Sequence, residues 1–357
     1  MTTRLPLSRR GLLRTSAVAL PLGLLGTRGF ASNRSAMPSD LLAPPICKAA
    51  TTIPVTVVSQ KRSLKLTWNA NAICVAGVPV AKAKGFFDKR NLDVELINFG
   101  GSTDQLLEAI ATGKADAGIG MALRWLKPLE QGFDVRITAA THGGCMRLLA
   151  KSGTGITKLA DLKGKSVGVA DLGAPDKNFF SIQLARLGLD PLTDVNWRVF
   201  PADLLPVALQ KGEVQAFGLS DPLGWVIRER DGLTEVATNL DSDFARRACC
   251  VLGVRGSLIR EDRPAAAALT EAILEAQDYV VAHPDEAAAI FAPNSPKATP
   301  EQLTAMLRSH THDHHPVGAD LRKEIALYTD ELKAISVIKP GTNSEKFSNK
   351  VYANVLS

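Results

Sequence analysis

No apolar run in this 357-residue chain is long enough to cross a bilayer. The longest, Ala17 to Gly26, has ten residues, where a spanning helix needs about twenty. Cysteine is scarce: the five residues include no CxxC pair, which excludes a disulfide framework and a zinc ribbon. A basic excess is also missing once residues 1–31 are set aside. They hold Arg4, Arg9, Arg10, Arg14, Arg28 and no acid; removing those five from 42 basic residues leaves 37 against 36 acidic. A nucleic-acid binder would carry its positive charge in the folded body, so that class is excluded. With 45% apolar and 22% charged residues, disorder and fibrous repeats do not fit either, and the length predicts two or three domains.

Residues 1–31 read as an export signal. Ser8-Arg9-Arg10-Gly11-Leu12-Leu13-Arg14 precedes the short apolar stretch, and either Gly29-Phe30-Ala31 or Ser35-Ala36 supplies a small-residue exit. The paired arginines resemble a twin-arginine signal, which exports proteins already folded, so the mature chain is expected in the periplasm. Residues 32–61, with Pro38, Pro44 and Pro45, are expected to form a loose leader.

The body repeats itself. Leu64–Trp68, Val94–Ile97 and 116–120 read as strands, with a capped helix from Ser102 that stops at Gly113. The pattern returns with strands at 166–170 and 197–200, a helix opening at Pro175 and another over 204–211. At a constant offset of 99, Ala109 aligns with Ala208, Ile110 with Leu209, Gly113 with Gly212 and Ala117 with Ala216. Such alternation predicts two parallel α/β units with a cleft between them at the C-terminal strand ends. Three helices follow, over 265–282, 300–309 and 320–335.

Four segments in order carry a family resemblance: 77–96 (GVPVAKAKGFFDKRNLDVEL), 107–120 (LEAIATGKADAGIG), 156–169 (ITKLADLKGKSVGV) and 212–222. Together they resemble the nitrate/sulfonate/taurine class of ABC-transporter solute-binding proteins, over roughly residues 62–340. The resemblance implies the type II periplasmic binding protein fold: α/β, with two parallel or mixed sheets flanked by helices and a hinge of two crossover strands. On that frame lobe 1 comprises 62–142 plus 250–340, lobe 2 comprises 143–249, and 341–357 form a C-terminal tail. It further implies a monomer that captures a small molecule and delivers it to an ABC permease, with no enzyme activity and no cofactor. Departures from the family pattern are Gln215 for a usual aspartate, Asp221-Pro222 for Glu-Pro, and Cys74, Cys145, Cys249 and Cys250 around the expected cleft.

Ligand-facing positions follow from the topology. In lobe 1 they are Asn69, Asn71, Gly101, Ser102 and Met121; in lobe 2, Asp171, Gly173, Ser220 and Asp221; at the crossovers, Thr141, His142, Cys145 and Cys249. Gly101-Ser102 lets backbone approach a ligand and offers free N–H groups at a helix start. Gly164-Lys-Ser166 lacks the partner glycine of a phosphate-binding loop, and Gly218 to Pro222 is not a nucleophile elbow. Arg246 and Arg247 could meet an anion, although such pairs are ordinarily solvated.

Two constellations suggest other chemistry. Thr141-His142-Gly143-Gly144-Cys145 opens one crossover and Cys249-Cys250 the other, so soft ligands could converge there on a metal or metal complex. Strand alternation predicts that only one of Cys249 and Cys250 faces the cleft. A disulfide, or cysteines buried as small apolar residues, are the competing readings. His310, His312 and His314, with His315, form a histidine-rich stretch before Pro316 that reads as a mobile loop or a metal site. An enzyme related to thiamine-pyrimidine synthase, which shares the fold, is the third class; the export signal argues against it.

Overall fold

The computed structural model describes residues 55–99 and 103–357. The export signal, leader residues 32–54 and the Gly101-Ser102 turn lie outside the described residues. Ten strands run in chain order: β1 (Arg62–Trp68), β2 (Leu92–Asn98), β3 (Ala117–Met121), β4 (Val135–His142), β5 (Met146–Ala150), β6 (Ser166–Val169), β7 (Asn196–Val199), β8 (Ala216–Ser220), β9 (Thr234–Thr238) and β10 (Cys250–Arg255). The helices are α1 (Gly77–Ala83), α2 (Thr103–Ala111), α3 (Ala122–Glu130), α4 (Pro175–Arg186), α5 (Leu205–Gln210), α6 (Leu223–Asp231), α7 (Gly256–Glu261), α8 (Arg263–Ala282), α9 (Pro284–Phe291), α10 (Pro300–Ser309), α11 (Gly318–Ala334) and α12 (Ser344–Val351). None is long and apolar enough to cross a membrane.

The strands form two five-stranded sheets, ordered β2-β1-β3-β10-β4 and β7-β6-β8-β5-β9. These are one topology used twice. Each sheet has a parallel core and a single antiparallel strand that enters from the other lobe: β5 follows β4 out of the first sheet, and β10 follows β9 back into it. β3 and β10 read as near-continuous apolar runs because helices cover both faces of the sheet.

The 99-residue repeat survives as a shared bonding device. Asp116 accepts a hydrogen bond from the Lys65 backbone N–H through Oδ2 (2.8 Å), and its own N–H donates to the Lys65 carbonyl (2.8 Å). Gln215 does the same with Ser166, at 2.9 and 2.8 Å. The departure from aspartate therefore keeps the acceptor and drops only the charge. In lobe 1 that charge is used, because Asp116 also pairs with Arg255 at 2.6 Å.

Both chain ends of the described part are packed. The leader is tied down from Thr56, not from residue 62: the Thr56 N–H and hydroxyl each donate to Glu271 at 2.6 Å. Glu271 is a buried carboxylate on α8, and burying it demands such donors. Residues 341–357 form α12 and a last extended stretch in which Tyr352 bridges Ile137 of β4.

Candidate functional site

The chain passes between lobes twice, through Gly143-Gly144-Cys145 and through residues 239–249. Asn239 joins the two passages: its Oδ1 accepts from the N–H groups of Cys145 (2.9 Å) and Met146 (2.7 Å). The Cys249 N–H donates to the His142 carbonyl at 2.8 Å, and Cys250 pairs in register with both His142 and Met121. The two glycines are there for close approach rather than flexibility. A Cβ on Gly144 would lie 2.4 Å from the Asn239 carbonyl oxygen, and one on Gly143 would lie 2.6 Å from Thr311 Cβ.

Around these passages four free cysteines and three histidines are buried together. Cys74, from a short turn before α1, places Sγ 3.4 Å from Cys250 Sγ and also meets Cys145, which meets Cys249. His142 is the hub. Its ring stands within 4.8 Å of Cys74 and Cys145 in one trio and of Cys249 and Cys250 in a second, and a third trio joins it to His310 and His312. Both Cys249 and Cys250 thus take part, against strand alternation, because Cys249 precedes the start of β10. Thr141 is buried beside them with its hydroxyl unpartnered among the described residues.

The histidine-rich stretch is no mobile loop at its first half. The Thr311 carbonyl accepts from the Gly143 N–H (2.9 Å), and the His142 and His312 ring centroids are 4.6 Å apart. His314 leaves the cluster and contacts Glu324 at 2.8 Å, and His315 contacts Asp278 at 2.9 Å. Behind His310, Nε2 meets Asp221 Oδ2 at 2.8 Å, and Asp221 is gripped by Arg147 through contacts of 2.8–3.0 Å. Burial opposes ionisation of Asp221, but His310 and Arg147 together hold its carboxyl below the usual range.

Neither ring nitrogen of His142 or His312, nor Nδ1 of His310, has a hydrogen-bond partner among the described residues. The Cys249 thiol approaches His142 outside hydrogen-bond geometry. Burial pushes the pKa of both His142 and His312 down, so both are neutral at pH 7, the form that ligates. Hydrogen bonds from Cys145 and Cys250 bring the Cys74 thiol down to about 6 against the opposing effect of burial, while Cys249, Cys74 and burial push Cys250 up.

The mouth of the cleft is built from other residues. Asn69 accepts from the Asn71 N–H at 3.0 Å after β1, and Met121 ends β3. Arg124, on α3 in lobe 1, pairs with Asp104 and reaches across to Asp171 in lobe 2. Gly173 lies under that bridge: a Cβ there would be 2.4 Å from Arg124 Nη1. Asn178 adds a second tie, donating to the Leu123 carbonyl at 3.1 Å. Ser220, half-buried at the end of β8, pairs with Met146. Sequence reasoning missed Arg124, and it placed Cys74 around the cleft without joining it to the crossover cysteines. Arg124 stands three residues past the predicted ligand-facing Met121, and a basic residue opening a helix there was the available signal. Arg247, expected in solvent, is buried against Glu331 of α11, while Arg246 is exposed beside Asp313. A groove of about 670 Å³ lined by Lys65, Lys82, Asp93, Lys114 and Asp116 lies at the opposite ends of β1–β3, away from all of these.

Asp176, in the first turn of α4, is buried against Gly218, and burial, opposed by the backbone N–H groups of Lys177 and Asp176, pushes its pKa up to about 6. In the unfolded chain it would titrate at about 3.9. The native state therefore binds the extra proton, and this stabilisation is complete below about pH 4 and lost as pH rises through 6. Asp176→Asn is expected to match the wild type near pH 4 and to exceed it at pH 8 by about 2–3 kcal/mol. Urea midpoints across that range test this; a difference independent of pH would refute it.

These features define a two-lobed binding-protein fold of the periplasmic class. The structure superposes on the periplasmic aliphatic sulphonate binding protein SsuA of Escherichia coli with a TM-score of 0.68 at 17% identity, covering 82% of this chain and 92% of that one. The NMT1/THI5-like family profile matches residues 73–287, and the chain belongs to that family. Among curated relatives, a protein of Brucella abortus (strain 2308) with a provisional binding-protein name is 26% identical over 68% of this chain and 75% of its own length. One from Haemophilus influenzae, provisionally named for thiamine biosynthesis, is 28% identical over 69% of this chain and 76% of its own.

Proposed function

We propose that this chain is the solute-binding component of an ABC importer, exported to the periplasm, that takes a small polar solute or weak anion between its lobes. The observation that carries this reading is the bridge of Arg124 to Asp171, which joins the two halves of a repeated fold across the cleft mouth. Asn69, Asn71, Met121, Asp171 and Gly173 are the ligand-facing set, and Arg124 joins them. A binding role suits this arrangement better than catalysis, because the candidate nucleophiles, the four thiols, are buried. The sulphonate-binding structural neighbour and the thiamine-biosynthesis name of the Haemophilus relative choose the first compounds to try.

A thermal-shift panel of alkanesulfonates, nitrate, aromatic acids and pyrimidine precursors of thiamine is the direct test. A ligand at 100 times its Kd adds about 2.7 kcal/mol, a clear rise in Tm. The responding compound should lose its shift in Arg124→Ala. A panel with no response, together with no binding to the permease reconstituted in lipid discs, would remove the reading. Export is tested separately: Arg9→Lys with Arg10→Lys should leave precursor in the cytoplasm, and unchanged periplasmic yield would assign the general secretory route.

A further inference from the structure

The four thiols have a bland explanation as small apolar residues filling a core. The imidazoles around them do not. Five ring nitrogens, on His142, His312 and His310, are buried without a partner among the described residues. Each unmade hydrogen bond of this kind is costly, and in a folded protein such a group signals something that completes it. We propose that the His142-centred cluster of Cys74, Cys145, Cys249 and Cys250, flanked by His310 and His312, holds a soft d¹⁰ metal ion, Cu(I) or Zn(II), in mixed thiolate and imidazole coordination.

Three features of the geometry support the assignment. The first is donor type, since sulfur and imidazole nitrogen together select Cu(I) and Zn(II) over hard cations. The second is spacing. Each trio about His142 has its ligand atoms within 4.8 Å of one another, and Cys74 and Cys250 stand 3.4 Å apart at sulfur. Ligands about 2.3 Å from one ion lie roughly 3.8 Å from each other in tetrahedral geometry, so modest side-chain rotation suffices. The third is the support behind His310. Its Nε2 is engaged by Asp221, itself held by Arg147, leaving Nδ1 as the free donor. A carboxylate oriented on the far nitrogen is the usual way a protein aims a metal-ligating histidine.

Binding is a simple exchange. Each thiol that ligates loses its proton to solvent, the metal–sulfur bond forms from the thiolate lone pair, and no electron is transferred. The His310–Asp221 contact joins the C-terminal end of β8 to the segment after α10, so the cluster lies where the two lobes meet. The assignment is independent of the solute in the cleft, so failure of either proposal leaves the other standing.

The test uses the full chain, reduced and stripped with chelator, then titrated with Cu(I) or Zn(II) against a competing chromophoric chelator. One ion of either metal per chain should resist competition, with a near-ultraviolet thiolate-to-metal band for Cu(I). Cys47→Ser should bind as the wild type does. Cys145→Ser with Cys249→Ser should lose the retained ion, and Asp221→Asn should weaken binding by about 10–100-fold. If the double cysteine variant fails to fold, the band in the wild-type protein decides. No retained ion of either metal in the reduced wild-type chain would overturn the site. So would undiminished retention in the folded double variant, or a native protein isolated with two disulfides and no capacity for metal after reduction.

Discussion

Asp221→Ala is expected to cost about 3–5 kcal/mol of folding stability, among the largest effects of any single change in this chain. The carboxylate is fully buried, as is the guanidinium of Arg147 that grips it, and His310 takes the same oxygen. Removing the acid leaves a cation inside the protein with only partly exposed Glu235 to answer it. The neighbouring Trp225 ring, 4.9 Å from the guanidinium, offers a weaker contact. Urea unfolding should show the loss as a lower midpoint at constant slope. The double variant with Arg147→Ala should be less destabilised than the two single effects combined, because the unpaired charge is then gone. A loss below about 1 kcal/mol in Asp221→Ala would mean that water reaches Arg147.

Glu331→Ala should have a comparable effect for a different structural reason. Glu331 sits on α11 with no solvent exposure and receives two bonds from Arg247, at 2.9 and 2.7 Å, as well as Arg186 from α4. Arg247 is otherwise enclosed, its guanidinium 4.1 Å from the Tyr328 ring centroid and 4.5 Å from that of Phe244. Asp243, at 3.7 Å, can recover part of the pairing, which places the expected cost at about 3 kcal/mol. Glu331→Gln keeps the shape and should lose roughly half as much. Equal unfolding midpoints for wild type and Glu331→Ala would show that Arg247 finds another partner, and the predicted energetic role of this pair would fall.

How far the sequence was readable depended on whether a feature was local. The repeat was visible because each half must make the same turns and the same strand-end bonds. Gly113 and Gly212 carry nearly the same left-handed φ, 79° and 73°, and Asp116 and Gln215 bond their neighbouring strands identically. The strand-end loops of the cleft followed from that topology. So did the meeting of His142 and Cys145 with Cys249-Cys250 at the crossovers, but the rest of the buried cluster did not. Cys74 reaches Cys250 across 176 positions and His310 reaches Asp221 across 89, and no periodicity announces either contact. The histidine stretch looked like a loop because its polar composition and Pro316 describe local preference, whereas its burial is imposed by the glycine-lined surface at Gly143. Arg247 was misread for the same reason: an arginine pair reads as solvated until a carboxylate from a distant helix arrives beside one of them.

Asn239 has a mechanical consequence. One carbonyl oxygen binds the outbound passage at two successive amides, while Asn239 itself begins the return passage. Two ribbons fastened at their second-lobe ends act as a single leaf spring. Twist common to both is soft, but sliding one ribbon along the other breaks two bonds at once. Such a tie resists lateral slip of one lobe against the other. The register in which Arg124 meets Asp171 is thus kept in part by one amide side chain outside the mouth.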